Sequence, residues 1–232
     1  MTEPVTYSSY LKIDELLKLQ HPLSDGPEHD EVLFIVIHQV YELWFKQMLH
    51  EISGLGKAFE NSKEPRIRHM LKRIRTILKT LVSQVDILET ITPISFESFR
   101  DRLQTSSGFQ SVQFRLLEFK LGKRSESALE IHPKTSNGYA ELSKAITEAP
   151  LYVLFLKYLE KNDYAIPEAA FAHDLKKSTP STPEIHPILI NIYRNDPIRA
   201  QVCELMVDID EGLQEWRYRH IKMVERTIGR RM

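Results

Sequence analysis

Two histidines in this chain of 232 residues stand where an ionisable ring is expensive to keep. The first, His38, lies within HDEVLFIVIHQVYELWFKQ (29–47), one of the most apolar runs of the sequence. It follows Phe34 by four residues and precedes Tyr41 by three, so on a helix the three side chains share a face. Burying an imidazole without partners costs about 1–3 kcal/mol. Something must therefore meet His38, and Glu42, one turn further on, is one candidate. The residues leave two readings open. His38 is either a core histidine bonded to a backbone carbonyl or to Glu42, or it lines a dry pocket for a ligand.

The second histidine, His220, lies in LQEWRYRHIKMVERTIGRRM (213–232). Leu213, Trp216, His220, Val224 and Thr227 recur at helical spacing, which puts His220 on the inward stripe of an otherwise charged helix. Arg217, Arg219, Lys222, Arg226, Arg230 and Arg231 surround it. One reading is a buried, paired histidine with the cations as a solvated face. Another is a basic helix that binds RNA, weakened by the net charge of −1. The third is a metal-bound imidazole. A single inward histidine on a rigid helix suits the axial position of haem, with nearby cations available to the propionates. Zinc has little support, because His-Glu-x-x-His and Cys-x-x-Cys are both missing. Matched Glu-x-x-His pairs for a di-iron site and phosphate-cradling glycine motifs are missing too.

A third cluster lies in ISFESFRDRLQTSSGFQSVQFRLLEFKLG (94–122). Arg100 follows Phe96 by four residues, so an aromatic ring and a guanidinium share a face. Turned outward, Arg100 is a surface cation; turned inward, its planar fork matches the two oxygens of a carboxylate. Ser106 to Ser111 reads as a turn and helix cap, in which Gly108 permits close approach of backbone to a ligand.

These residues need a frame, and the frame reads as helices. Prolines such as Pro22, Pro27, Pro65, Pro93, Pro150, Pro187 and Pro197 fall between periodic segments, where a missing N–H is harmless. The periodicity predicts helices near 10–20, 30–60, 65–90, 94–103, 111–121, 139–161, 185–194 and 197–228. The 30–60 segment is apolar nearly all round and is expected in the core. Strand-like alternation is nearly absent, and 174–187 reads as a surface connection. The expected fold is all-α, a single domain spanning 1–232.

Composition narrows the function classes. The near-zero charge offers no field for nucleic acid or anionic lipid. No apolar run is long enough for a membrane span, and the N-terminus has no signal-peptide pattern. The one cysteine, Cys203, fits a reducing compartment, so a cytoplasmic protein is expected.

At this point four pieces carry a resemblance: YSSYLKIDELLKLQ (7–20), HDEVLFIVIHQVYELWFKQ (29–47), FESFRDRLQTSSGFQSVQFRLLE (96–118) and EWRYRHIKMVERTIGRR (215–231). In order and in content the chain resembles the tryptophan 2,3-dioxygenase family. The resemblance implies a helical bundle enclosing a haem b pocket, with L-tryptophan and O2 as substrates and N-formyl-L-kynurenine as product. It implies that His220 is the axial ligand of the haem iron and His38 the distal residue that meets the indole N–H. Phe34 and Phe96 would wall the indole, Arg100 would hold the carboxylate, and Ser107 and Gly108 would lie beside haem and substrate. It also implies a homotetramer in which an N-terminal segment, here with Tyr7, Tyr10 and Leu11, reaches a neighbouring subunit's pocket. In the family the helix of the axial histidine runs on into a Thr-Gly-Gly-Ser loop that contacts the substrate ammonium, so further sequence is expected after Met232. The alternatives are a haem-dependent monooxygenase of an aromatic amino acid or indole, and a non-catalytic haem-binding protein.

Overall fold

The computed structural model describes residues 4–26, 28–172 and 174–229; Pro27, Arg230, Arg231 and Met232, named above, lie outside the described residues. Eleven α-helices and no strands occur among the described residues. They run α1 (Tyr7–Leu11), α2 (Ile13–Leu16), α3 (His29–Glu60), α4 (Glu64–Leu88), α5 (Pro93–Arg100), α6 (Val112–Lys120), α7 (Ser127–Glu130), α8 (Asn137–Ala145), α9 (Leu151–Lys161), α10 (His186–Asn195) and α11 (Pro197–Ile228). Among the described residues none is long and apolar enough to cross a membrane.

The frame is α3, α4 and α11. At 1.5 Å per residue, the 32 residues of α3 and of α11 each span about 48 Å. α4 starts after Lys63 with Pro65 in its first turn, where the lost N–H costs nothing. Its buried Ile67, Met70, Leu71, Ile74, Ile77, Leu78, Leu81, Val85 and Leu88 recur at three- and four-residue steps and make one continuous stripe. That stripe packs along both α3 and α11. α11 lies close to it: a Cβ at Gly212 would stand 3.3 Å from Leu78. Asp196 caps α11 by accepting Arg199 N–H at 3.0 Å, and Pro197 opens its first turn.

The structure departs from the sequence reading in three places. The segment read as one helix over 10–20 is two short ones, parted by Lys12 in the left-handed region at φ 53°. The helix expected over 139–161 is two, α8 and α9, because Pro150 cannot donate into a continuing ladder. Arg124, buried, fills the gap. Its guanidinium donates to the carbonyls of Phe119 (3.0 Å), Ile146 (2.8 Å), Glu148 (2.5 Å) and Leu175 (2.6 Å). It thereby pins the supposed surface connection after 174 to the core. Third, α3 is not apolar all round in its setting. Ile37, Tyr41, Phe45, Met48, Ile52 and Leu55 are buried, whereas Val32, Val36 and Leu43 form an exposed outer stripe.

Residues 19–28 return along the start of α3. Glu31, buried, accepts the backbone N–H groups of Leu23 (2.7 Å) and Ser24 (3.2 Å). Gln39 pairs with Gln20 at 2.5 Å and donates to Leu19 O at 3.0 Å. Ion pairing of Arg102 with Asp25 at 2.5 Å and the Ser98–Glu28 bond at 2.6 Å tie the α5 region to the same segment.

Candidate haem and substrate site

The site is built where α3, α5, α6 and α11 meet. On α3, the Phe34 and His38 rings lie 4.1 Å apart, as the four-residue spacing demands. α5 is launched by Thr92, whose hydroxyl accepts Ser95 N–H at 3.1 Å. It presents Phe96 and Phe99 to Phe34, with ring centroids 5.8 and 5.6 Å away. The three rings form an apolar wall beside His38. On α11, Trp216 stacks on His220 at 5.2 Å and 18°. Tyr41 and Phe45 meet Trp216 edge-on at 5.9 and 5.7 Å, and Phe114 of α6 closes the cluster at 4.9 Å. With His38 6.5 Å from Tyr41, a continuous aromatic path joins the two histidines.

The electrostatics fix the state of each imidazole. His38 Nδ1 lies 2.7 Å from the Phe34 carbonyl oxygen. A carbonyl only accepts, so Nδ1 carries the proton. Burial lowers the pKa of His38 against the Phe34 carbonyl and the Glu42 charge, which favour the cation. The neutral ring therefore keeps its Nε2 lone pair as an acceptor. This corrects the suggestion that Glu42 pairs with His38. The Glu42 carboxylate is taken by Ser111 Oγ at 2.5 Å and Gln113 Nε2 at 2.8 Å, and the backbone carbonyl meets the histidine instead.

His220 is half-buried and makes no hydrogen bond among the described residues. Burial pulls its pKa down to about 4, and the proximity of the His38 imidazole acts in the same direction. It is thus a neutral imidazole with free ring nitrogens, the form that binds a metal. No group of three or more His, Cys, Asp or Glu that could hold an ion occurs among the described residues. A lone imidazole suits an iron that brings its other ligands with it, as in haem, so the residues present fit that cofactor.

The flanking cations are mostly engaged. Arg219 pairs with Asp86 (2.6 Å) and Glu89 (3.2 Å), Lys222 with Glu225 (2.9 Å), and Arg217 with the buried Glu118 (3.6 Å). Arg100 lies half-exposed beside the Phe96 wall and, among the described residues, holds only Glu97, at 3.3 Å on its own helix. Most of its fork is unused. Ser107 caps the short turn 108–110, accepting Phe109 N–H at 3.3 Å. A Cβ at Gly108 would meet nothing within 4 Å, so no neighbour in this chain demands glycine there.

Tyr7 and Tyr10 are not brought to this site; they stand 76 % and 77 % exposed on α1, and Leu11 beside them is exposed as well. The sequence reading missed Tyr41, Phe45 and Phe114 as the packing around Trp216. Their i, i+4 spacing on α3 and the capped start of α6 were the available signals.

The chain is similar in sequence to known proteins along nearly its whole length. The sequence model described as tryptophan 2,3-dioxygenase matches residues 1–178. The chain is 52 % identical over 229 residues to a tryptophan 2,3-dioxygenase of Herpetosiphon aurantiacus, covering 99 % of this chain and 88 % of that protein. It is 48 % identical over 235 residues to one from an Anaeromyxobacter species, covering 99 % and 88 %. For one from Caulobacter vibrioides the identity is 40 % over 235 residues, covering 100 % and 88 %. With two histidines facing one aromatic cluster and relatives matched along nearly its whole length, the chain belongs to the tryptophan 2,3-dioxygenase family.

Proposed function

We propose that this chain is a haem-dependent dioxygenase that cleaves the indole C2–C3 bond of L-tryptophan with O2 to give N-formyl-L-kynurenine. The observation that carries the reading is the polarity of the two imidazoles. His38 is held neutral with Nδ1–H on a carbonyl and Nε2 left as an acceptor, and His220 is neutral and unbonded among the described residues.

His220 would hold the haem iron, and haem when bound supplies the O2 activation that no side chain of this protein can. The remaining work belongs to the chain. An indole N–H is a donor, so it fits His38 Nε2, the one ring nitrogen left to accept. Phe34, Phe96 and Phe99 give the indole an apolar wall and exclude water from the reacting carbons. At Phe96 the wall is purely apolar, with no hydroxyl to contact the substrate. Arg100, with most of its donors free, grips the substrate carboxylate bidentately on leaving Glu97. The amino acid is then fixed at both ends, and orientation converts a bimolecular encounter into a positioned one. His38 orients rather than removes the indole proton, since its depressed basicity makes it a poor proton acceptor. Ser107 and Gly108 would border the same space, and the open face of Gly108 would leave room for ligand.

Tyr7, Tyr10 and Leu11 offer an exposed apolar surface that a neighbouring subunit would cover in a homotetramer, and we place the enzyme in the cytoplasm. The test is turnover of L-tryptophan by the haem-loaded, reduced chain under isotopically labelled O2. Both atoms of one O2 are expected in the product. A product carrying a single labelled oxygen would make the chain a monooxygenase, and no product would leave it a haem-binding protein.

A further inference from the structure

Glu42 stands one turn beyond His38 on α3, and the chemistry above gives it no part. Its carboxylate is nevertheless fully engaged. Ser111 Oγ–H donates to Oε1 at 2.5 Å, and Gln113 Nε2–H donates to Oε2 at 2.8 Å. The other hydrogen of the same amide goes to the Glu42 backbone carbonyl at 2.9 Å. Both partners belong to α6 or its cap.

The bonds lock one another. Ser111 spends its single hydroxyl proton on Glu42 while its oxygen accepts Phe114 N–H at 3.1 Å, so the hydroxyl is fixed from two sides. Gln113 faces two acceptors, which fixes the sense of its amide. Upstream, Ser111 N–H bonds Gly108 O at 3.2 Å, and Gln110 N–H bonds Ser107 O at 2.9 Å. Gln110 Oε1 accepts Ser107 N–H at 3.3 Å. A run of hydrogen bonds therefore leads from α3 through Ser111 to the Gly108 carbonyl, and the Ser107–Gln110 pair closes the same turn. Packing does little along this turn: Phe109 is 66 % exposed, and the side of Gly108 where a Cβ would stand is open.

We propose that Glu42 is a positioning residue, whose carboxylate latches the 106–111 turn to the helix of His38 so that Ser107 and Gly108 are held at the substrate pocket. The proposal rests on the assignment of that pocket in the preceding subsection. It gives a physical reason for a carboxylate one turn from the distal imidazole that does not touch it.

The test uses the full haem-loaded chain with Glu42→Ala, Glu42→Gln and Gln113→Ala. Glu42→Ala removes both acceptors. Glu42→Gln keeps one for Ser111 but sets an NH2 group against that of Gln113. KM for L-tryptophan is expected to rise about tenfold in Glu42→Ala and about threefold in Glu42→Gln, with kcat changed by less than about twofold and the Soret band intact. Amide exchange at Gln110 and Ser111 should quicken about tenfold in Glu42→Ala. Gln113→Ala, which leaves the Ser111 cap in place, should move both readouts in the same direction and stands in if Glu42→Ala does not fold. Wild-type KM and wild-type exchange in these variants would overturn the latch. So would a kcat that falls in step with thermal stability while exchange at the turn is unchanged. Exchange that quickens in the variants, together with a wild-type chain that makes no N-formylkynurenine, would overturn the catalytic reading and leave the latch standing.

Discussion

The two ends of α11 treat polar groups in opposite ways. Near its start, Arg199 reaches Glu64 at 3.2 Å, Asn162 at 2.5 Å and Asp196 at 3.3 Å, and the Tyr164 hydroxyl donates to Asp196 at 2.8 Å. About six turns later, His220 stacks on Trp216 and bonds to nothing among the described residues. The first end pairs its carboxylates and most of its donors within the chain, leaving Arg199 Nε without a partner among the described residues, and ties α4, α9 and α11 together. The second keeps a desolvated imidazole open. Most buried polar groups of a native fold find partners within it, so a half-buried neutral imidazole left open on a rigid helix is available to a partner from outside the chain.

Removing a member of each end should separate the two roles. Arg199→Ala strands Glu64 and Asp196 in a mostly buried setting and is expected to cost about 3 kcal/mol in denaturant unfolding. His220→Ala in the cofactor-free chain loses only apolar contact with Trp216 and should cost about 1 kcal/mol or less. Equal losses would erase the contrast. Arg100→Ala, which removes an under-used fork, should leave haem retention unchanged and raise KM for tryptophan roughly ten- to hundredfold. Steady-state kinetics identical to wild type would remove its proposed role.

A further effect concerns pH at the Arg199 end. Burial pushes the Asp196 carboxyl up, but the Arg199 N–H, the Tyr164 hydroxyl and the Arg199 charge together leave it below its ordinary 3.8. A carboxyl lowered on folding contributes stability above its unfolded pKa and loses it as the pH falls through the folded value. Asp196→Asn should therefore be less stable than wild type at pH 7, with the gap closing as the pH drops below 3.8. A gap independent of pH would show that packing, and not charge, holds this cap.

The helical frame was legible because its period is: the α4 stripe and the inward Leu213–Trp216–His220 series are written at three- and four-residue steps. The two histidines were legible for the same reason, as ionisable rings on apolar stripes. What the sequence did not disclose are bonds to backbone. Arg124 finds four carbonyls, and His38 chooses the Phe34 carbonyl over Glu42. Carbonyls carry no residue signature, and the choice made by Glu42 depends on how α6 docks against α3 some 69 residues later. The break before Pro150 was signalled by the proline itself, but α8 and α9 each continue the same apolar content, and that content argues for one helix. Tyr7, Tyr10 and Leu11 face away from this chain, so no reading of its own packing assigns them a neighbour.

The central claim is that His220 is held open for iron. Its most direct measurement is the Soret spectrum of His220→Ala after haem loading and desalting, with and without added imidazole. Loss of stoichiometric haem, restored by free imidazole, is the result expected of an axial ligand. A variant that keeps one haem per chain with an unchanged Soret band would contradict it.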